Sequence, residues 1–174
     1  TIATPAVFSG VIEPAIGADA EHNALAIQAA WDEAAGTGKT VKVKERGTIP
    51  LSKPGLAGQM LLLPAAGNFA FESRANFLVQ SKHATFCQNN GVTVQVPNVR
   101  IDGFRVEFDI DPATGNPFVC RGFWGTFKDS QLNGMEVMNF YGNTQAFLIA
   151  GFNSSMRSPR FVNEQATAGP GGLR

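Results

Sequence analysis

Helical periodicity occurs once in this chain, near its start, and nearly everything after it is cut into strand-length pieces. From Asp19 to Ala35, "DAEHNALAIQAAWDEAA", the apolar residues Ala24, Ile27, Trp31 and Ala34 recur at helical spacing, while Asp32 and Glu33 lie outside that row. Asp19 or Asn23 can cap its start, and Gly36 or Gly38 can adopt the left-handed conformation that ends it. Next, "TVKVKERGTIPL" alternates Val41 and Val43 with Lys42 and Lys44, the period of a half-buried strand. The remainder reads "QMLLLP", "FAFES", "FLVQS", "VTVQV", "VRIDGFRVEFDI", "LNGMEVMNF" and "AFLIAGF", separated by Gly, Asn, Asp and Pro. These spacings predict a mainly β body with one amphipathic helix in front of it.

The segment Gly36 to Thr40, "GTGKT", has the look of a phosphate-binding loop but lacks its chemistry. That loop needs a glycine where this chain has Glu33, whose carboxylate repels phosphate, and it must follow a strand and open a helix. Here it closes a helix and opens a strand, so we read it as a helix stop and a short turn.

Composition narrows the partners. Fourteen basic residues balance fourteen acidic ones, so no net field draws the chain to nucleic acid. No apolar run approaches the ~20 residues of a membrane span, which predicts no membrane insertion. The start, "TIATPAVFSGVIEPAIG", lacks the basic opening and apolar core of a secretory signal, so synthesis in a cytoplasm without signal-dependent export is the expectation. Cys87 and Cys120 stand far apart, as do His22 and His83, a spacing that predicts neither a metal site nor a cofactor. Buried thiols are the default, and a disulfide stays open if the fold brings the two cysteines together. Asn153 to Ser155 fits a glycosylation sequon, read as accidental without a signal peptide.

An internal echo runs through the β body. "IDGFRV" from Ile101 matches "LNGMEV" from Leu132, and "IAGF" from Ile149 repeats the first half again. Apolar, small polar, glycine, apolar suits a chain that turns a corner on each circuit.

The stretch "NALAIQAAWDEAAGTGKTVKVKERGTIPL" resembles the entry to the pectate-lyase-like right-handed parallel β-helix superfamily, which includes phage tailspikes and polysaccharide-degrading enzymes. The matching residues are Ala24, Ala26, Ile27, Gln28, Ala29 and Ala30, then Gly38, Thr40, Val41, Val43, Gly47, Thr48 and Ile49, and "NVRIDGF" from Asn98 is similar to a rung of that family. The resemblance implies a short right-handed parallel β-helix whose amphipathic helix caps the open end, with room for five or six coils of ~20 to 25 residues. On this expectation residues 1–18 are an N-terminal arm, 19–165 the helix and β-helix domain, and 166–174 a flexible tail. It further implies a phage virion structural protein, a homotrimer touching other virion proteins and a host polysaccharide. Two alternatives stay open: the N-terminal part of a polysaccharide lyase or glycosidase, and a glycan-binding module without catalysis.

Two constellations carry candidate chemistry. In "RVEFDIDPATGNPF", Glu107, Asp109 and Asp111 alternate with Val106, Phe108 and Ile110, which predicts three acids on one strand face beside Arg105. Same-face neighbours at ~6.5 to 7 Å would suit a pair of glycosidase carboxylates or a Ca²⁺ site, and a solvated outer face gives the same pattern. In "FVCRGFWGTF", Phe118, Phe123, Trp124 and Phe127 gather as core, subunit contact or sugar-stacking platform. Gly122 and Gly125 mark a turn that would present Trp124, with Phe123 beside it.

Overall fold

The computed structural model describes residues 7–53, 59–81, 85–89, 94–118, 121–138 and 147–162, with residues 85–89, 121 and 162 described by their backbone alone. Its elements in chain order are β1 (Val11–Ile12), α1 (Ala20–Ala34), β2 (Thr40–Lys42), β3 (Thr48–Leu51), β4 (Leu62–Leu63), β5 (Phe69–Glu72), β6 (Asn76–Val79), β7 (Thr85–Asn89), β8 (Gln95–Pro97), β9 (Val99–Phe108), β10 (Ile110–Asp111), β11 (Asn116–Pro117), β12 (Arg121–Lys128), β13 (Gln131–Met138), β14 (Phe147–Phe152), β15 (Ser155–Arg157) and β16 (Arg160–Val162). The protein is mainly β, with a single helix among the described residues and parallel sheets.

The predicted helix forms for the reasons its sequence offers. Asp19 caps it, its carboxylate accepting from the His22 N–H at 2.6 Å. Gly36 and Gly38 both take positive φ beyond its end. The "GTGKT" amides are spent on the protein itself: Gly36 N–H donates to Gly67 O and Gly38 N–H to Asn68 O, each at 2.8 Å. Asn23, fully buried, ties the helix down by donating to Gly17 O and Pro50 O at 3.0 Å, while its Oδ1 accepts from Gly17 N–H.

The larger sheet runs β1-β2-β5-β9-β13-β15, with β3, β6 and β16 continuing the same stack, and every pairing in it is parallel. Its register places Ile12, Val41, Phe71, Ile101, Leu132 and Met156 in one column, and Ile49, Phe77, Val106, Val137 and Phe161 in a second. Most neighbours in a column are about 30 positions apart in the chain, wider than the 20 to 25 expected from the resemblance. The second sheet, β14-β12-β7-β4 with β8 on β12, is parallel as well, and a small antiparallel pair, β10 and β11, projects after β9.

Between the two sheets lies an aromatic core. Phe104 is its hub, with ring centroids 4.9 Å from Phe71, 5.2 Å from Phe77 and 5.1 Å from Phe123. Trp31 carries the helix into this cluster, edge-on to Phe71 at 5.5 Å, and α1 lies across β2 and β3 at the first end of the stack.

A corner conformation recurs beside the larger sheet. Gly38, Asn68, Asn98, Asp129 and Asn153 all have positive φ, and each stands two residues before a strand residue of one register row, Thr40, Ala70, Arg100, Gln131 and Ser155. Glycine adopts this conformation freely, and Asn and Asp tolerate it because their short polar side chains bond locally. The corners are stitched to each other: Asn68 N–H donates to Pro97 O, Asn98 N–H to Lys128 O and Asp129 N–H to Phe152 O, at 2.8 to 3.0 Å.

The expected N-terminal arm is partly built in, since β1 adds in parallel to the edge at β2. Cys120, His83 and the expected tail lie outside the described residues, as does the side chain of Cys87.

Candidate functional site

A cleft forms where β9 and β13 change direction, at Gly103 (φ 83°) and Gly134 (φ 64°). It has a volume of about 400 Å³, and its polar lining comes from Ser73, Arg74, Asp102, Arg105 and Asn133. Glycine is required at the bend: a Cβ on Gly103 would lie 2.3 Å from the Ser73 carbonyl oxygen. The missing side chains leave a floor of backbone, and the residues flanking the bend supply its walls.

Asp102 and Asn133 are placed by register. Lys42, Glu72, Asp102, Asn133 and Arg157 form one outward column of the larger sheet. Arg100 holds the Asp102 carboxylate through Nε and Nη2, both at 2.9 Å from Oδ2. Arg74 Nη1 donates to the carbonyls of Ser73 and Asp102 at 3.1 Å. Asn133 Nδ2 donates to Asp102 Oδ1 at 3.4 Å, while its Oδ1 is buried with no hydrogen-bond partner. Arg105 leans toward Glu136 at 3.8 Å. Glu72 and Asp102 are the adjacent acids, but Lys42 lies 3.6 Å from Glu72 and Arg100 pairs with Asp102. The cleft therefore offers guanidinium donors, a set suited to holding a polar ligand.

The acid row predicted on one face is not one. Glu107, on β9, accepts from Asn76 Nδ2. Asp109 Oδ2 accepts from Gln80 Nε2 at 2.9 Å and its Oδ1 from the Ile110 N–H at 2.8 Å. Past this point the alternation reverses: Ile110 faces solvent and Asp111 is 4% exposed. The cause is the β10–β11 hairpin, in which Asp111 Oδ1 accepts from Ala113 N–H and its carbonyl accepts from Thr114 and Gly115. A tight turn, not a continuing strand, sets the direction of Asp111. Among the described residues no group of three or more His, Cys, Asp or Glu is arranged to hold a metal.

The aromatic pair also separates. Phe123 is 1% exposed and packs between Phe104 and Phe147, so it belongs to the core and presents nothing to a ligand. Trp124 sits within the strand β12, not in a turn, with Leu148 as its register partner on β14. Leu148 and Phe152 are exposed, at 38% and 53%, and Ala150 between them is exposed too. The outward row of β14 is therefore apolar, in contrast to the charged outward rows of the larger sheet.

Asp102 and Asn133 were not singled out by sequence reasoning, although both stand in the echo "IDGF" and "LNGM" as the small polar residue before glycine. That position was legible as a corner; the neighbours that make it a cleft are Arg74, from the connection between β5 and β6, and Arg105, three positions on along β9.

No family model, curated protein or solved structure matches this chain.

Proposed function

We propose that this chain forms a short right-handed parallel β-helix and serves as a structural component of a phage virion, acting by lateral assembly as a trimer. Support for the β-helix comes from the repeated register at about 30 residues, the recurring left-handed corner and the helix across one end. Parallel crossovers are right-handed in ~98% of cases, which favours that hand. The virion assignment rests on the resemblance of residues 23–51 to that superfamily's entry.

One observation carries the assembly reading. The outward row Leu148, Ala150 and Phe152, next to Trp124, is an exposed apolar face on a chain whose other large sheet is polar outside. Burying such rows around a shared axis is the ordinary use of an apolar face on a soluble scaffold. Phe152→Asp places a charge in that contact and converts trimers to single chains in light scattering, with an unchanged circular dichroism spectrum. A Phe152→Asp chain that stays trimeric refutes this contact.

The Gly103–Gly134 cleft favours a second reading, contact with a host glycan. Arg74 and Arg105 match the acceptor groups of a saccharide. Arg105→Ala then weakens oligosaccharide binding about tenfold in calorimetry, the worth of one charge-assisted hydrogen bond. Equal affinity in the variant removes the cleft from that role.

A further inference from the structure

The cleft at Gly103 and Gly134 does not end at its own walls. A second depression of about 270 Å³, lined by Lys42, Lys44, Arg46 and Glu72, shares Ser73 and Arg74 with it, so the two run on as one trough along a corner of the larger sheet. Around this trough five cations, Lys42, Lys44, Arg46, Arg74 and Arg105, stand against two acids, Glu72 and Asp102, although the chain as a whole carries no net charge. We infer that the trough takes an anionic polysaccharide, charged through carboxylate or sulfate groups. This rests on the glycan-contact reading of the cleft and adds to it the charge of the ligand and the contribution of Arg46.

Register lays out the trough. Thr48 pairs with Asn76, Asn76 with Arg105 and Arg105 with Glu136. Two positions before these stand Arg46, Arg74, Gly103 and Gly134, at successive turns of the same corner, and the Asn76 N–H donates to Gly47 O at 3.0 Å between the first two. Three strand spacings separate the ends of this row, about 14 Å, which suits a chain of several sugar units better than a single small anion. The two glycines carry no side chain, so the row is open beyond Arg74. Arg74 leans over that opening: a Cβ on Gly103 would lie 2.9 Å from its Nη1.

Charge pairing singles out two guanidinium groups. Lys42 lies 3.6 Å from Glu72, Lys44 pairs with Glu13, Arg105 lies 3.8 Å from Glu136, and Asp102 is already held by Arg100. Arg46 and Arg74 have no acidic partner among the described residues. Arg74 is nevertheless fixed, because its Nη1 donates to the Ser73 and Asp102 carbonyls at 3.1 Å, and its Nε and Nη2 remain for a ligand. A guanidinium held in this way offers planar donors to a carboxylate or sulfate with little ordering left to lose. The trough has no exposed aromatic face on which a nucleobase could stack, since Phe104, the one aromatic among its described lining residues, is fully buried. Guanidinium donors without a stacking platform favour an anionic polysaccharide over nucleic acid and over a neutral glycan.

The test is calorimetry of the full chain with oligosaccharides of hyaluronan, heparin and dextran, and with oligo(dT). At least one of the two anionic oligosaccharides binds about tenfold or more tighter than neutral dextran and loses affinity as salt is raised. Comparing hyaluronan with heparin tells carboxylate from sulfate. Arg46→Gln weakens this binding about tenfold. Arg46 is exposed and makes no ion pair or side-chain hydrogen bond among the described residues, so its replacement leaves the fold intact. Lys128→Gln removes the same charge from β12 in the second sheet and leaves the affinity unchanged. Dextran binding equal to that of both anionic oligosaccharides overturns the inference and leaves the glycan reading standing, whereas no binding of any saccharide overturns both. Tighter binding of oligo(dT) overturns the inference as well. So does an equal loss in Lys128→Gln and Arg46→Gln, which would reduce the effect to charge attraction without a site.

Discussion

Gly103 shows how one residue can decide both a fold and a surface. Its φ of 83° belongs to the left-handed region, and an added Cβ would overlap the Ser73 carbonyl and crowd Arg74 Nη1 at 2.9 Å. Gly103→Ala is expected to lower unfolding free energy by about 2 to 4 kcal/mol, through backbone strain and overpacking together, as read from denaturant midpoints. Gly115, also at positive φ but with open space around it, loses only the strain component when made Ala. The sequence displayed Gly103 as a corner because "IDGF" and "LNGM" share it. What stayed hidden was the consequence for the neighbours: Asp102 is engaged by Arg100 two positions away and by Asn133 thirty-one positions away, and only the second depends on the register. The acid row failed for a complementary reason. Period-2 alternation was extended through Asp111, but "DPATGN" is a turn that closes on the Asp111 carbonyl and carboxylate.

At the scale of elements, α1 was the most legible part, since capping residue, apolar stripe and glycine stop all agree. Its importance lies in what it carries. Trp31 is fully buried against Phe69, Phe71 and Phe104, so Trp31→Ala opens a cavity under the helix and costs about 3 to 5 kcal/mol. Leu25, on the opposite side and 69% exposed, changes stability by less than about 0.5 kcal/mol when made Ala. Equal losses in thermal or denaturant unfolding would contradict the helix orientation. Strands with clean alternation, such as β9 and β13, were also legible, and the echo of Ile101 with Leu132 is a direct register pair. The third echo was not: "IAGF" pairs with Gly125 to Lys128 in the other sheet. Strand β12 was read as a turn because two glycines flank its aromatics. Gly122 and Gly125 are instead buried within β12, which pairs with β14 on one side and with β7 and β8 on the other, Gly122 falling at a register shift against β7. The corner row at Asn68, Asn98, Asp129 and Asn153 gave no sequence pattern on its own, because any loop can contain Asn or Asp.

At the scale of the whole molecule, two surfaces differ in kind: a polar sheet with a cleft, and an apolar outward row on β14. The most direct test of the proposed lateral assembly is native mass spectrometry of the chain. The account predicts a single dominant species of three chains. A dominant single-chain mass under the same conditions, with the fold intact, would contradict it.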